Sequence, residues 1–187
     1  MKRHSRLWLL LMLLLTLSIL AGCIGDSTRQ TPAAPPGQQP AGSDQDPSKG
    51  TMNLTVYFAT KDAMYLVPEV RTVPKNDQPA RTALEQLFTE PRNKELVRVM
   101  PPGTKLKNLV IKDQIAYVDF SEHIIKNNPG GSATEVLLVS SIVNTLTEFP
   151  QIQKVQILVE GNKVATLNGH LDVSEPLSRS EKIIKKL

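Results

Sequence analysis

The sequence predicts an α+β domain of two layers, a mixed β-sheet carrying two helices on one face, over residues 53–187. Runs of alternating polarity that read as strands recur along this stretch, and two runs with apolar side chains at helical spacing interrupt them. The resulting order, β-β-α-β-β-α-β-β, brings two one-sided helices to a sheet with one apolar face, and stacking them buries both.

Taken from the start, residues 1–22 read as a secretory signal, with Lys2, Arg3 and Arg6 ahead of an apolar run that falls short of the ~20 residues a membrane span needs. The run ends at Leu20-Ala21-Gly22-Cys23, which resembles the bacterial lipobox. That resemblance implies cleavage before Cys23 and diacylation of its thiol, and two acyl chains suffice for stable anchoring. Cleavage leaves 19 basic against 18 acidic residues, so the +4 of the whole chain belongs mostly to the leader and makes no case for a nucleic-acid partner. With Cys23 acylated the folded part holds no thiol, and its stability rests on burial. Residues 23–52, the lipidated cysteine and a stretch rich in Pro, Gly, Ser and Gln, bury too little to offset their ordering entropy. They read as a disordered tether with a reach of roughly 30 Å.

Residues 53–59 alternate, with Leu54, Val56 and Phe58 on one face and Thr55 and Tyr57 on the other, and read as a strand. Lys61-Asp62-Ala63 turns the chain into residues 64–73, where Pro68 marks an edge strand or a bulged hairpin arm. Asp77 stands where a helix cap would, Pro79 in the first turn, and Ala80, Ala83, Leu84, Leu87 and Phe88 form a buried stripe that Pro91 ends. Residues 92–103 read as an irregular connection with a turn of helix near 95–98. Residues 105–112 pair with the return through Ala116, Val118 and Phe120 about a turn at Lys112-Asp113-Gln114. Gly130-Gly131-Ser132 opens the longest helix, with Ser132 and Glu135 at capping-box spacing. Its arc of Val136, Leu138, Val139, Ile142, Val143, Leu146 and Phe149 lies opposite Ser140, Ser141, Asn144 and Glu148, and Pro150 stops it. Val155, Ile157 and Val159 make a further strand, and Glu160-Gly161-Asn162 turns it into a short arm over 163–167.

The domain resembles GerMN, the domain of sporulation and spore germination. The similar positions are residues 54–58, Leu66-Val67-Pro68-Glu69 with Arg71, Val118-Asp119-Phe120-Ser121, Ile142-Val143-Asn144-Thr145-Leu146 with Phe149-Pro150, residues 155–161, and Gly169-His170-Leu171-Asp172 before Pro176-Leu177. The resemblance implies a single-domain lipoprotein on the extracytoplasmic face of the cell membrane. It further implies a module that works by protein contact, of a family in which no catalytic residues are established, and no cofactor is expected. Its implied partners are envelope proteins, copies of itself among them, with the membrane reached through the lipidated N-terminus. One departure lies at Thr89-Glu90-Pro91, where the family tends to carry glycine before the proline, so the helix end should differ locally.

His123 and His170 are the histidines of the mature chain, and neither has a second ligand at helical or hairpin spacing, where a metal needs three or four. His170 with Asp172 therefore reads as a hydrogen-bonded turn. Asp119 and Glu122 mark the exposed side and end of a strand. Gly130-Gly131-Ser132 at a helix N-terminus lacks the lysine of a P-loop and reads as a cap. No Gly-x-Ser-x-Gly elbow occurs. Ile183, Ile184 and Leu187 beside Lys182, Lys185 and Lys186 read as a frayed basic terminus ahead of a lipid- or partner-docking one. Two function classes follow: a non-enzymatic assembly module of the envelope, and a cell-wall or small-ligand module accompanying a hydrolase. A pocket lined by Tyr57, Tyr65 or Tyr117 would favour the second. Contacts of the first kind are expected along residues 64–73 and 163–167, because strand edges offer unpaired backbone.

Overall fold

The computed structural model describes residues 50–186. The signal segment, the lipobox, Cys23 and the polar stretch through residue 49 lie outside the described residues, as does Leu187. The domain is α+β as expected, but its strands divide between two hydrogen-bonded sheets, of three and five strands, where a single sheet was expected.

In the smaller sheet, β1 (Thr51–Thr60) pairs antiparallel with β2 (Leu66–Pro74) and, through Ala59 and Thr60, with β3 (Leu96–Val97). Strand β3 replaces the helical turn expected there, because Leu96 is buried and its backbone completes the free side of β1. The register explains how Pro68 is tolerated. Thr60 N–H donates to Tyr65 O at 2.9 Å and Lys75 N–H to Gly50 O at 2.9 Å. Hydrogen-bonded pairs alternate with non-bonded ones in an antiparallel ladder, so Pro68 opposite Tyr57 and Pro74 opposite Thr51 both fall on non-bonded pairs. Neither proline costs a ladder bond, and Pro68 removes a donor from the outer edge of β2.

Helix α1 (Pro79–Gln86) buries Ala80, Ala83 and Leu84 as its spacing requires. Asp77 does not cap it: Gln78 holds the N-cap without a side-chain bond, and Asn76 Oδ1 instead accepts the Gln78 N–H at 2.9 Å. The exit lacks a glycine, the carbonyls of Leu84, Glu85 and Gln86 accept the N–H groups of Leu87, Phe88 and Thr89, and two arginines take carbonyls just beyond the helix. Arg98 Nη1 donates to Phe88 O at 2.9 Å and Arg71 Nη2 to Glu90 O at 2.8 Å.

The larger sheet runs β4 (Leu106–Lys112), β5 (Ile115–Phe120), β6 (Lys154–Val159) and β7 (Asn162–Lys163), with β8 (Leu177–Ser178) also on β6. Only the β5–β6 pair is parallel among these. Its crossover holds a short helix, α2 (His123–Lys126), and the long helix α3 (Ser132–Leu146). Every residue of α3 from Leu137 to Leu146 is buried, the polar ones included. Helix α3 packs against β1 and β6 of the two sheets, and one apolar cluster runs from Val56 and Phe58 through Leu138, Ile142 and Leu146 to Val118 and Ile157.

The C-terminus is not frayed. Residues 177–185 leave β6 at β8, cross α3 and end on the smaller sheet, where Leu66 N–H donates to Ile183 O and Lys185 N–H to Leu66 O, both at 2.8 Å. Burial of Ile183 and Ile184 against the satellite cluster of Tyr57, Ala59, Leu66 and Leu137 holds this strap in place.

Candidate functional site

Most of the polar groups that the sequence singles out are spent inside the fold. Glu135 was expected to reach back and complete a capping box with Ser132, yet no side chain caps α3; Gly131 is the N-cap, at φ 93°. The Glu135 carboxylate is fully buried and accepts the N–H groups of Leu167 (2.9 Å), Asn168 (2.8 Å) and His170 (2.8 Å), with His170 Nδ1 at 3.1 Å. Burial pushes its pKa up, but those donors outweigh burial and hold it below the ordinary carboxylate value. The residue that fixes the 167–170 loop is thus Glu135, on another element, and not Asp172. Asp172 Oδ1 instead closes its own turn, accepting Ser174 N–H at 2.9 Å and its hydroxyl at 2.6 Å.

The remaining similar positions behave alike. Glu69 lies 2.6 Å from Arg71 Nε, and its two oxygens accept the N–H groups of Arg92 and Asn93, which ties β2 to the loop after α1. Asp119 Oδ1 accepts the Gly161 N–H at 2.7 Å across the tight turn where Glu160 (φ 51°) and Gly161 (φ 79°) are both left-handed. Glu160 pairs with Lys107 and accepts the Glu122 N–H at 2.9 Å, while the Glu122 carboxylate lies 2.7 Å from Lys126, so Asp119 and Glu122 are separately partnered and not a carboxylate pair. Ser141 Oγ donates to Tyr57 O at 2.6 Å and Thr145 Oγ1 accepts Tyr57 N–H at 3.2 Å, while Asn144 brackets the Ser180 backbone with two bonds of 2.9 Å.

A second polar cluster, invisible to spacing, surrounds Arg179 on the strap. Its guanidinium donates to Tyr57 Oη at 2.6 Å and Asn144 O at 3.0 Å, lies 2.8 Å from Glu148 and pairs with Glu181. Burial and the bond it donates to Glu148 raise the Tyr57 pKa against the lowering effect of Arg179. Of its members only Tyr57 and Asn144 stood among the similar positions, and Arg179, Glu148 and Glu181 carried no signal.

The three tyrosines do not share a pocket: Tyr57 is buried in the Arg179 cluster, Tyr65 lines a shallow cavity of about 390 Å³ with Lys182, Ile184, Lys185 and Lys186, and Tyr117 lies half-buried on β5. His123 and His170 stand on different elements, and no group of three potential ligands converges among the described residues. Each of the two expected contact edges is used in part within the fold. Leu66 is covered by the strap, Pro68 has no N–H, and in the 163–167 arm only Asn162–Lys163 is strand, with Leu167 buried on Glu135. A further exposed edge is β4, terminal in its sheet, with Val110 and Ile111 exposed.

The residues of the motifs in this α+β domain hold its loops and strands together. The chain belongs to the Germane family, described as sporulation and spore germination, whose profile matches residues 55–165. It is 29% identical over 144 residues to the spore germination protein GerM of Bacillus subtilis, covering 74% of this chain and 38% of that protein, so it spans well under half of that relative's length. Two solved structures are similar. The tandem GerMN domains of GerM from Bacillus subtilis match at 28% identity and a TM-score of 0.60, over 69% of this chain and 46% of theirs. The first GerMN domain alone matches with the same identity and score, over 68% of this chain and 98% of its own.

Proposed function

We propose that this protein is a membrane-anchored lipoprotein on the extracytoplasmic face of the cell, in which the GerMN domain serves as a non-enzymatic contact module of an envelope assembly in sporulation or germination. The family match supports the process. The observation that carries the contact role is the internal use of the motif residues: Glu69, Asp119, Glu135, Asn144 and Glu160 all hold backbone, so what they preserve is the shape of a surface. The surface most suited to a partner is β4. A two-residue turn at Asp113-Gln114 makes Lys112–Ile115 a bonded pair, so the backbone of Ile111 points away from β5 with no strand beside it among the described residues. Anchoring through Cys23 then raises the local concentration of the domain without a new contact.

The test uses cells. Cys23→Ala should abolish incorporation of a fatty-acid analogue into the mature protein, and equal labelling of both forms would end the lipoprotein reading. A photo-crosslinker at Val110 should capture a defined envelope protein, or a second copy, that the same group at Val70 does not. Cleavage of peptidoglycan by the purified domain would end the non-enzymatic reading.

A further inference from the structure

The hairpin tip after β1 and the end of the strap meet in one place. At the tip Met64 is 60% and Tyr65 37% exposed, large for apolar side chains on a turn. The turn is held rigidly: Ala63 is left-handed at φ 54°, Ala63 N–H donates to Thr60 O at 3.0 Å, and Asp62 Oδ1 receives both the Thr60 hydroxyl and the Met64 N–H. Asp62 stays ionised on the turn and offsets part of the charge of Lys185. Lys185, bonded through its backbone to Leu66 O, lines one shallow cavity with Tyr65, Lys182 and Lys186 and another with Lys61 and Asp62. Lys182, Lys185 and Lys186 are exposed and make no ion pair among the described residues, whereas Lys61 is shared with Glu95 at 3.4 Å and Glu181 is taken by Arg179.

We propose that this edge docks on an anionic bilayer, with Met64 and Tyr65 entering the interfacial region and Lys182, Lys185 and Lys186 meeting the lipid phosphates. An apolar tip rimmed by lysines is the pattern that favours such a surface, since apolar burial and headgroup attraction add. The lysines sit on a segment already fixed by Ile183 and Ile184, so docking orders little that is not ordered beforehand. Strand β1 separates this edge from the point where the tether joins by about 30 Å, at ~3.3 Å per residue. That matches the reach expected of the tether from its composition, the condition under which a second attachment gains most from tethering.

This orientation rests on the membrane-anchored reading, but its test does not need the anchor. The core lies within residues 50–186, in a compact unit Gln45–Leu187, and a similar single domain has been solved by itself, so the leaderless unit can be used. It should sediment with vesicles of phosphatidylglycerol and phosphatidylcholine in equal parts, release with salt, and ignore phosphatidylcholine alone. Replacing Lys182, Lys185 and Lys186 by Ser should weaken partitioning on the order of 100-fold, about fivefold for each lysine, and Met64→Asp should weaken it with the lysines intact. Ser at Lys75, Lys112 and Lys154, an equal charge removed elsewhere, should cost far less. No binding by the wild-type unit, binding equal on both vesicles, or equal losses in the two triple variants would overturn the proposal. Self-association through Met64 and Tyr65 in place of vesicle binding would overturn it too. None of these results alters the fatty-acid labelling at Cys23, so the two readings fail separately.

Discussion

At Glu135 burial and hydrogen bonding work against each other, and the outcome sets a pH dependence. The carboxylate has no solvent, which alone would favour its neutral form, but three backbone N–H groups and the His170 ring face it. They bind the ionised form, so the folded-state pKa lies below the unfolded one. A depressed pKa means the unfolded chain takes up a proton first as pH falls. The stabilisation is therefore complete above the ordinary glutamate pKa of about 4.3 and is lost as pH drops through it toward the folded value. Glu135→Gln should remove that acid limb. At neutral pH it should also cost about 1–3 kcal/mol, the range for leaving a buried donor unpaired. Urea melts of both proteins at pH 7 and near pH 4 would show it: the gap between them should narrow at the lower pH, and a constant gap would place the stabilisation elsewhere.

Helix α3 illustrates which part of an element periodicity reveals. The arc from Leu138 to Leu146 was legible because apolar spacing reports the face turned to the core. Ser141 and Asn144 on the opposite face carried no such signal, since a polar side chain facing water and one facing a strand's backbone look identical in a sequence. The structure puts β1 and the strap on that face, and there Ser141 and Thr145 serve as partners for a β1 residue whose own strand pair is Pro68. For the same reason Pro68 was legible as an edge signal while the role of Tyr57 was not: a local rule reads a residue's own backbone, and Tyr57 is satisfied from 84 and 88 residues away. Lys107 and Glu160, Glu69 and Arg92, and Glu135 and the 167–170 loop escaped notice on the same ground. Thr145→Val preserves shape while orphaning the Tyr57 N–H, and Ser141→Ala does so for its carbonyl. Each should cost about 1–3 kcal/mol, and Ser140→Ala, on the same turn and buried but with no side-chain hydrogen bond found among the described residues, should cost less than either. Thermal melts of the three variants would separate them, and equal losses would mean that pairing with the Tyr57 backbone does not govern.

Across the whole molecule the question is whether two sheets make one folding unit. Division into separate hydrogen-bonded sheets invites separate melting, but the core does not follow that division. Leu146 on α3 and Ile157 on β6 belong to the same apolar cluster as Val56 and Phe58 of β1, and the strap joins β6 to β2 over the outside of α3. Loss of either sheet would expose the apolar flank of α3 that it covers, so neither is expected to persist alone. Leu146→Ala and Ile157→Ala, both at positions with almost no exposure, should each lower stability by roughly 2–5 kcal/mol. Both should do so in a single transition with an unchanged denaturant slope, because the slope follows the surface exposed by the cooperative unit. Trimming the chain to residue 49 should leave the melt unaltered, whereas cutting at 52 removes the pairing of Thr51 and Met52 with Pro74 and Val73 and should weaken it. Fluorescence of Tyr57 in the smaller sheet and Tyr117 in the larger gives the decisive comparison, read in Tyr→Phe variants that leave one reporter at a time. Coincident curves would establish one unit, and an Ile157→Ala protein in which the Tyr117 signal melted well before that of Tyr57 would show that the sheets part.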